Sequence, residues 1–393
     1  MYTYIFNILI NARNKVLDLV YLDNSATTPV CESAIKAATF AMETCWGNPS
    51  SLHKMGLSAE MQMSKARQIT ANLIKCREDE IFFMASGTEA NNTAIFSAVE
   101  KMKKRGNKII TSAVEHPSVL KPMEELKKRG FEVVFLGTDE KGKIRLEDLI
   151  KEIDKNTILI SIMLVNNETG AIMPIKSIRD AVKNCGSSAI IHCDAVQAFG
   201  KMPIDVKNLG VDLLSFSGHK IHAPKGIGGL YKAKNLALSP YIYGGGQEKG
   251  FRSGTESVPL IAAFGAAVKE LPNPNSQLKT MEELVVYAKE KLSSLNDIYF
   301  NSPEDALPFI LNISLVGYRS EILLHYLEGE NIMVSSGSAC SKGEASGVLA
   351  EMGLSADRRD SALRISFSRY NTKADVDRLY EALVSAQQKI RKK

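Results

Sequence analysis

Two short segments carry residue types that can do chemistry together. The run Asp212-Leu-Leu-Ser-Phe-Ser-Gly-His-Lys220 sets a lysine directly behind an apolar stretch and a Ser-Gly-His turn. Upstream, the apolar Ser188-Ala-Ile-Ile191 ends in His192-Cys-Asp-Ala-Val-Gln197, so Asp194 and Gln197 leave the end of a strand that reads as buried. Taken singly, Lys220 is an ordinary solvated charge and Asp194 an ordinary helix N-cap. Taken together they fit pyridoxal phosphate. That cofactor needs a lysine for a Schiff base, an acid to keep its pyridine nitrogen protonated as an electron sink, and donors for its phosphate.

The remaining parts of such a site are present. Ser86-Gly87-Thr88-Glu89 follows the short apolar run 81–85 and opens a helical stretch predicted over 90–104. Small residues at a helix N-terminus present free N–H groups and the positive dipole end to a phosphate. Val114-Glu-His116 follows the strand-like Lys108-Ile-Ile-Thr-Ser112, which sets His116 at a strand end where its ring can stack on a pyridine face. Asn166-Asn167-Glu168-Thr169-Gly170 ends a strand predicted over 157–165. These groups all leave the carboxyl ends of strands, where open α/β sheets bind ligands. Cys340 lies in a Ser/Gly-rich stretch, 335–347; there a thiol is either a small buried hydrophobe or a nucleophile on a loop that can reach substrate. Its thiolate would be a few per cent of the population at neutral pH unless the site lowers a pKa of about 8.5.

In order and spacing these segments resemble the cysteine desulfurases of the class V aminotransferase group, over nearly the whole chain. Further matching pieces are Tyr21-Leu-Asp-Asn-Ser-Ala-Thr-Thr-Pro29, Gly47-Asn-Pro-Ser-Ser51 with His53, Gly244-Gly-Gly-Gln-Glu248, Arg252-Ser-Gly-Thr255 and Ser335-Ser-Gly-Ser-Ala-Cys340. The resemblance implies the pyridoxal-phosphate transferase fold of type I: an α/β architecture with a mainly parallel, seven-stranded sheet flanked by helices, and a smaller α+β domain. It implies Lys220 as the Schiff-base lysine, Asp194 on the pyridine nitrogen, Gln197 near the ring hydroxyl and His116 above the ring. Gly87, Thr88, Ser217 and His219 would hold the phosphate. Thr255 would reach the phosphate of the neighbouring subunit in a homodimer, and Asn167 and Arg364 would hold the substrate carboxylate. For the last two, a turn residue and a structural ion pair are the plain alternatives.

The reaction so implied converts L-cysteine to L-alanine and leaves the sulfur as a persulfide on Cys340, with His116 a candidate to take the thiol proton. A sulfur-acceptor protein, either an iron–sulfur scaffold or a transfer-RNA thiolation enzyme, would follow. The segment 341–347 is short by the standard of some family members, which bears on how far Cys340 reaches. Two other readings stay open: a selenocysteine lyase or another class V aminotransferase, and a non-catalytic regulatory descendant.

The elements that must position these groups follow from pattern. Strands alternate with helices from Glu80 to about Tyr231, as a mainly parallel sheet covered on both faces requires. The break Leu271-Pro-Asn-Pro-Asn-Ser-Gln277 precedes a long amphipathic helix predicted over 278–295. The expected organisation is therefore an N-terminal extension over 1–18, a large cofactor domain over 19–270 whose first residues pack on the small domain, and a small domain over 271–393. The extension lacks the charged start and small-residue cleavage pattern of a signal peptide.

Composition sets bounds on function. With 45% hydrophobic and 24% charged residues in 393, the chain has an ordinary globular balance. A net charge of +5 spread along this length leaves no footprint for direct nucleic-acid binding. No stretch approaches the roughly 20 apolar residues of a membrane span. Six cysteines without Cys-x-x-Cys pairing or metal-ligand rhythm suit a reducing cytoplasm and give no metal site.

Overall fold

Apolar runs of Ile, Val, Leu and Phe, each bounded by a turn or an amphipathic stretch, become the strands of a central sheet in the computed structural model. It describes residues 19–336 and 346–392. In chain order the strands are β1 (Val20–Tyr21), β2 (Ile81–Met84), β3 (Lys108–Ser112), β4 (Glu132–Leu136), β5 (Thr157–Ser161), β6 (Ile190–Asp194), β7 (Leu213–Ser217), β8 (Gly228–Lys232), β9 (Ile298–Phe300), β10 (Ile310–Leu315), β11 (Ile332–Met333) and β12 (Ala362–Ser366).

The main sheet has seven strands in the order β2-β8-β7-β6-β5-β3-β4. Only β8 runs against the others; it pairs antiparallel with both β2 and β7. Strands β5, β6 and β7 are buried along their whole length, as strands covered by helices on both faces must be. The helix Gly87–Met102 lies on β5, β7 and β8 and buries Ala90, Ala94 and Ala98, small side chains that let it approach the sheet closely. On the sheet's other side, Phe199, Phe216 and Phe264 stack, with Phe199 and Phe216 centroids 4.4 Å apart.

One expected strand is shorter than its sequence suggests. Regular pairing of 157–165 stops at Ser161, although Ile162 and Leu164 still donate to the carbonyls of His192 and Asp194. The segment then ends at Asn166, whose Oδ1 accepts from the backbone N–H groups of Glu168 and Thr169 and rolls the chain into a turn. The helix predicted over 278–295 starts earlier and spans Pro274–Leu292, because Asn273 caps it and Pro274 suits its first position.

Beyond that helix, β12-β10-β9 form an antiparallel sheet, and the helices Pro274–Leu292 and Lys373–Lys389 pack against each other. The chain's first described residues join this part: β1 pairs parallel with β11, and Asp23 bridges to Ser366. Residues 23–27 are thereby held between β12 and the Lys220 turn.

Candidate active site

The carboxyl ends of β3, β5, β6 and β7 open into one cavity of about 650 Å³. Ten of the residues singled out by sequence line it: Gly87, Thr88, His116, Asn167, Asp194, Gln197, Ser217, His219, Lys220 and Arg364. Thr255 does not line it and is exposed. Cys340 lies outside the described residues. The flanks of its segment do reach the site: Ser335 bridges to Arg364, and Ser346 donates to Glu168, with Gly347 and Val348 on the cavity wall.

Lys220 ends a short 3-10 turn, Gly218–Lys220, that follows β7 directly. Its Nζ donates to the carbonyl oxygens of Ser25 and, at 2.8 Å, Ala26. Asp194 is the last residue of β6 and nearly buried. The Val196 N–H donates to its Oδ1 at 2.9 Å, and Asn91 donates to Oδ2 at 2.7 Å. The second Asn91 hydrogen goes to Ser118 Oγ at 2.8 Å, and that hydroxyl meets His116 Nδ1 at 2.8 Å. One polar chain thus fixes the acid and the ring.

His116 caps the helix Pro117–Lys128, and its Nδ1 accepts from the Ser118 N–H at 3.1 Å. An Nδ1 that accepts leaves the proton of the neutral ring on Nε2. Burial holds the ring's pKa below the usual histidine value; the Asp194 carboxylate opposes this and the Lys220 cation adds to it. His219 is also neutral, since burial and Lys220 bring it to about 4.

At the phosphate end, Ser86 caps the helix Gly87–Met102 by accepting from the Glu89 N–H at 3.1 Å. Glu89 forms a two-point ion pair with Arg252, at 2.6 and 3.2 Å, which ties the turn to Arg252-Ser-Gly-Thr255. At the opposite end, Arg364 on β12 is 2% exposed. It donates to the Asn167 carbonyl at 3.0 Å and to Asp23 Oδ1 at 2.8 Å, while its Nε is buried with no partner among the described residues. The structural ion pair and a free donor edge therefore coexist in this one residue.

The lining fits pyridoxal phosphate on its own evidence. Ser217 Oγ is buried without a partner among the described residues, beside the helix N-terminus, as a phosphate ligand would be. A Cβ on Gly87 would lie 2.9 Å from Val196 Cγ2 and 3.3 Å from Ser217 Cβ, so only glycine keeps that cradle open. An acid, an amine and a histidine ring complete the set that the cofactor's nitrogen, aldehyde and ring face require.

Four lining or supporting residues escaped the sequence reading: Asn91, Ser118, Glu115 and Lys201. Glu115 is buried, accepts from Ser112 Oγ at 2.6 Å and from the Met163 N–H at 2.8 Å, and leaves Oε2 without a partner. Burial pushes its carboxyl up from 4.5 to about 8, so the folded protein holds it protonated at neutral pH. An acid raised on folding adds stability below its unfolded value, and this is lost as pH rises through the folded value. The window runs from 4.5 to about 8. Glu115→Gln should therefore flatten the decline in thermal stability across that window; a decline as steep as the wild type's would show that Glu115 does not cause it.

His53 and His222 also find places. His53 caps the helix Lys54–Leu73, accepting from the Gly56 N–H. His222 is buried with its Nδ1 2.9 Å from the Pro29 carbonyl and its ring edge-on to Tyr370. Among the described residues no group of three or more His, Cys, Asp or Glu could hold a metal, and no helix is long and apolar enough to cross a membrane.

Comparison with known proteins agrees with this geometry. The model of the family described as aminotransferase class-V matches residues 20–379. A cysteine desulfurase IscS of Methanosarcina thermophila is 38% identical, over 97% of this chain and 94% of that protein. A solved NifS-like protein superposes with a TM-score of 0.89 at 36% identity, over 94% of this chain and 99% of that one. A structure described as SspA in complex with cysteine gives a TM-score of 0.79 at 33% identity, over 90% and 99%. The chain belongs to the class-V aminotransferase family and groups there with the IscS and NifS proteins.

Proposed function

We propose that this chain is a pyridoxal-phosphate-dependent cysteine desulfurase, which takes sulfur from L-cysteine as an enzyme persulfide and releases L-alanine. The observation that carries this is the cavity in which Lys220, Asp194, His116 and Arg364 meet, with Gly347 and Val348, after the Cys340 segment, on its wall and Ser335, before it, bridged to Arg364. Relatives named cysteine desulfurase and a neighbour solved with cysteine support the substrate. Incubation with L-cysteine and a reductant should yield alanine and sulfide in equal amounts; no alanine would remove the proposal.

When bound, the cofactor supplies an electron sink for negative charge at the substrate's α-carbon. Lys220 provides the amine for covalent attachment and, once displaced by substrate, the base for the α-proton. Asp194, held by Asn91 and the Val196 N–H, stays oriented toward the ring nitrogen. His116 would hold the cofactor's ring with its Nε2–H free to donate, and Gln197 would offer its amide to the ring hydroxyl. Gly87, Thr88, Ser217 and His219 hold the phosphate, and Arg364 with Asn167 holds the substrate carboxylate. Cys340 is the thiol that receives the sulfur; a reductant can release it as sulfide, and its biological recipient is a sulfur-acceptor protein of iron–sulfur assembly or transfer-RNA thiolation.

The proposal extends to a homodimer in which Thr255 completes the partner's phosphate site. Thr255 is exposed and does not line its own cavity, yet Arg252 anchors its segment to the phosphate turn. Met42, Trp46, Leu52, Leu57 and Met61 form an exposed apolar series on two consecutive helices and the turn between them, the kind of surface a second copy covers. Thr255→Ala should weaken cofactor binding about tenfold, the worth of one hydrogen bond to a charged group. Equilibrium dialysis and sedimentation would check it; a monomer with full cofactor affinity would contradict it. We also keep the division into 19–270 and 271–393, and a cytoplasmic location, where the unpaired Cys31, Cys45, Cys76, Cys185 and Cys193 stay reduced.

A further inference from the structure

Behind Gln197 lies a lysine that the proposed chemistry does not use. Lys201 is 5% exposed, and its Nζ donates to Gln197 Oε1 at 3.1 Å, the only hydrogen bond it makes among the described residues. The Phe309 ring centroid lies 5.8 Å away. Among the described residues no carboxylate pairs with it; the charged groups acting on it are the cations Lys220 and Arg364, and His219 and His222 lie near. A buried lysine without an anionic partner is costly, so its presence asks for a use.

Gln197 is gripped from both sides. Its Nε2 donates to the Ser25 carbonyl at 3.0 Å, the same oxygen that accepts from Lys220 Nζ. A flipped amide would set NH2 against the lysine N–H groups and Oε1 against a carbonyl oxygen, two repulsive contacts in place of two hydrogen bonds. The Ser25 carbonyl can only accept, so its grip on Nε2 holds at any charge of Lys201, whereas Lys201 refuses a flipped amide only while its amine is protonated.

We infer that Lys201 is a positioning residue: it fixes the Gln197 amide with Oε1 turned to Lys201 and Nε2 on the Lys220 side, so that Gln197 meets the ring hydroxyl oxygen only as a donor. This rests on the reading of Gln197 given above. A donor at that oxygen withdraws electron density from it and makes the neighbouring lysine-linked nitrogen easier to deprotonate. Losing the donor therefore raises the pH at which the visible absorption of the lysine-bound cofactor changes.

The test is a pH titration of that absorption in wild type, Gln197→Ala, Lys201→Met and the double variant, each loaded with cofactor. Both single variants should move the midpoint upward by up to roughly one unit, the size of shift a nearby polar group produces. The double variant should move no further than Gln197→Ala alone, since the two act through one amide. If Gln197→Ala moves the midpoint and Lys201→Met does not, Lys201 is not a positioning residue and the reading of Gln197 survives. If neither moves it, the reading of Gln197 falls and this inference with it. If the two shifts add, Lys201 acts through its own charge and the lock is wrong. Thermal unfolding of cofactor-free Lys201→Met should not be lower than wild type, because an apolar chain removes an uncompensated buried amine; a marked drop would show that Lys201 serves the fold instead.

Discussion

Lys220→Ala should give a folded protein that shows no visible absorption band of lysine-bound cofactor and has lost turnover with every amino acid by roughly three orders of magnitude or more. Two functions vanish with one side chain: the amine that attaches the cofactor and the base that takes the α-proton. Folding should survive. The Lys220 backbone sits in a turn held by Gly218, and its Nζ donates to the Ser25 and Ala26 carbonyls. Absorbance of the purified variant and alanine formation from cysteine are the measurements. Normal alanine production by this variant would remove Lys220 from the mechanism.

Cys340→Ser should separate binding from sulfur transfer. Lys220, Asp194, His116 and Arg364 are untouched, so the variant should load cofactor and change its absorption on adding cysteine as the wild type does. Alanine release should fall by roughly a thousandfold, because a serine hydroxyl is almost never ionised at neutral pH whereas a free cysteine is a few per cent thiolate. Stopped-flow absorbance and an alanine assay report the two halves separately. Alanine formed at the wild-type rate would mean the sulfur leaves without this thiol.

Much of this site was readable in the sequence because its residues sit at strand ends, where an apolar run breaks abruptly into polar types. Asp194 closes β6, Lys220 follows β7 within a single turn, and His116 follows β3 within one loop. The helix cap at Ser86 was readable for the same local reason. What escaped has no local signal. Asn91 is mid-helix, a place where asparagine reads as an ordinary unfavourable residue, and only the approach of β6 shows that it donates to Asp194. Ser118 looks like a first-turn residue of its helix until Asn91 and His116 meet on it.

Glu115 and Lys201 illustrate the second limit. Each is charged by type and would be placed on the surface by composition alone. The fold buries both, Glu115 behind Ser112 and Met163 and Lys201 behind Gln197. The Arg252–Glu89 pair joins residues 163 positions apart, so the link between the phosphate turn and the Thr255 segment exists only in three dimensions. The antiparallel β8 is hidden similarly: Gly228–Lys232 carries no mark of direction, which is set by the short return from the Lys220 turn.

The central claim is that sulfur passes from cysteine to Cys340. The most direct measurement is peptide mass analysis of the wild-type protein after brief exposure to L-cysteine, with free thiols blocked. An added sulfur, about 32 Da, is expected on the peptide that contains Cys340, removable by reductant and absent in Lys220→Ala. The same mass on Cys193 or Cys185, or alanine formed with no cysteine carrying it, would contradict the account.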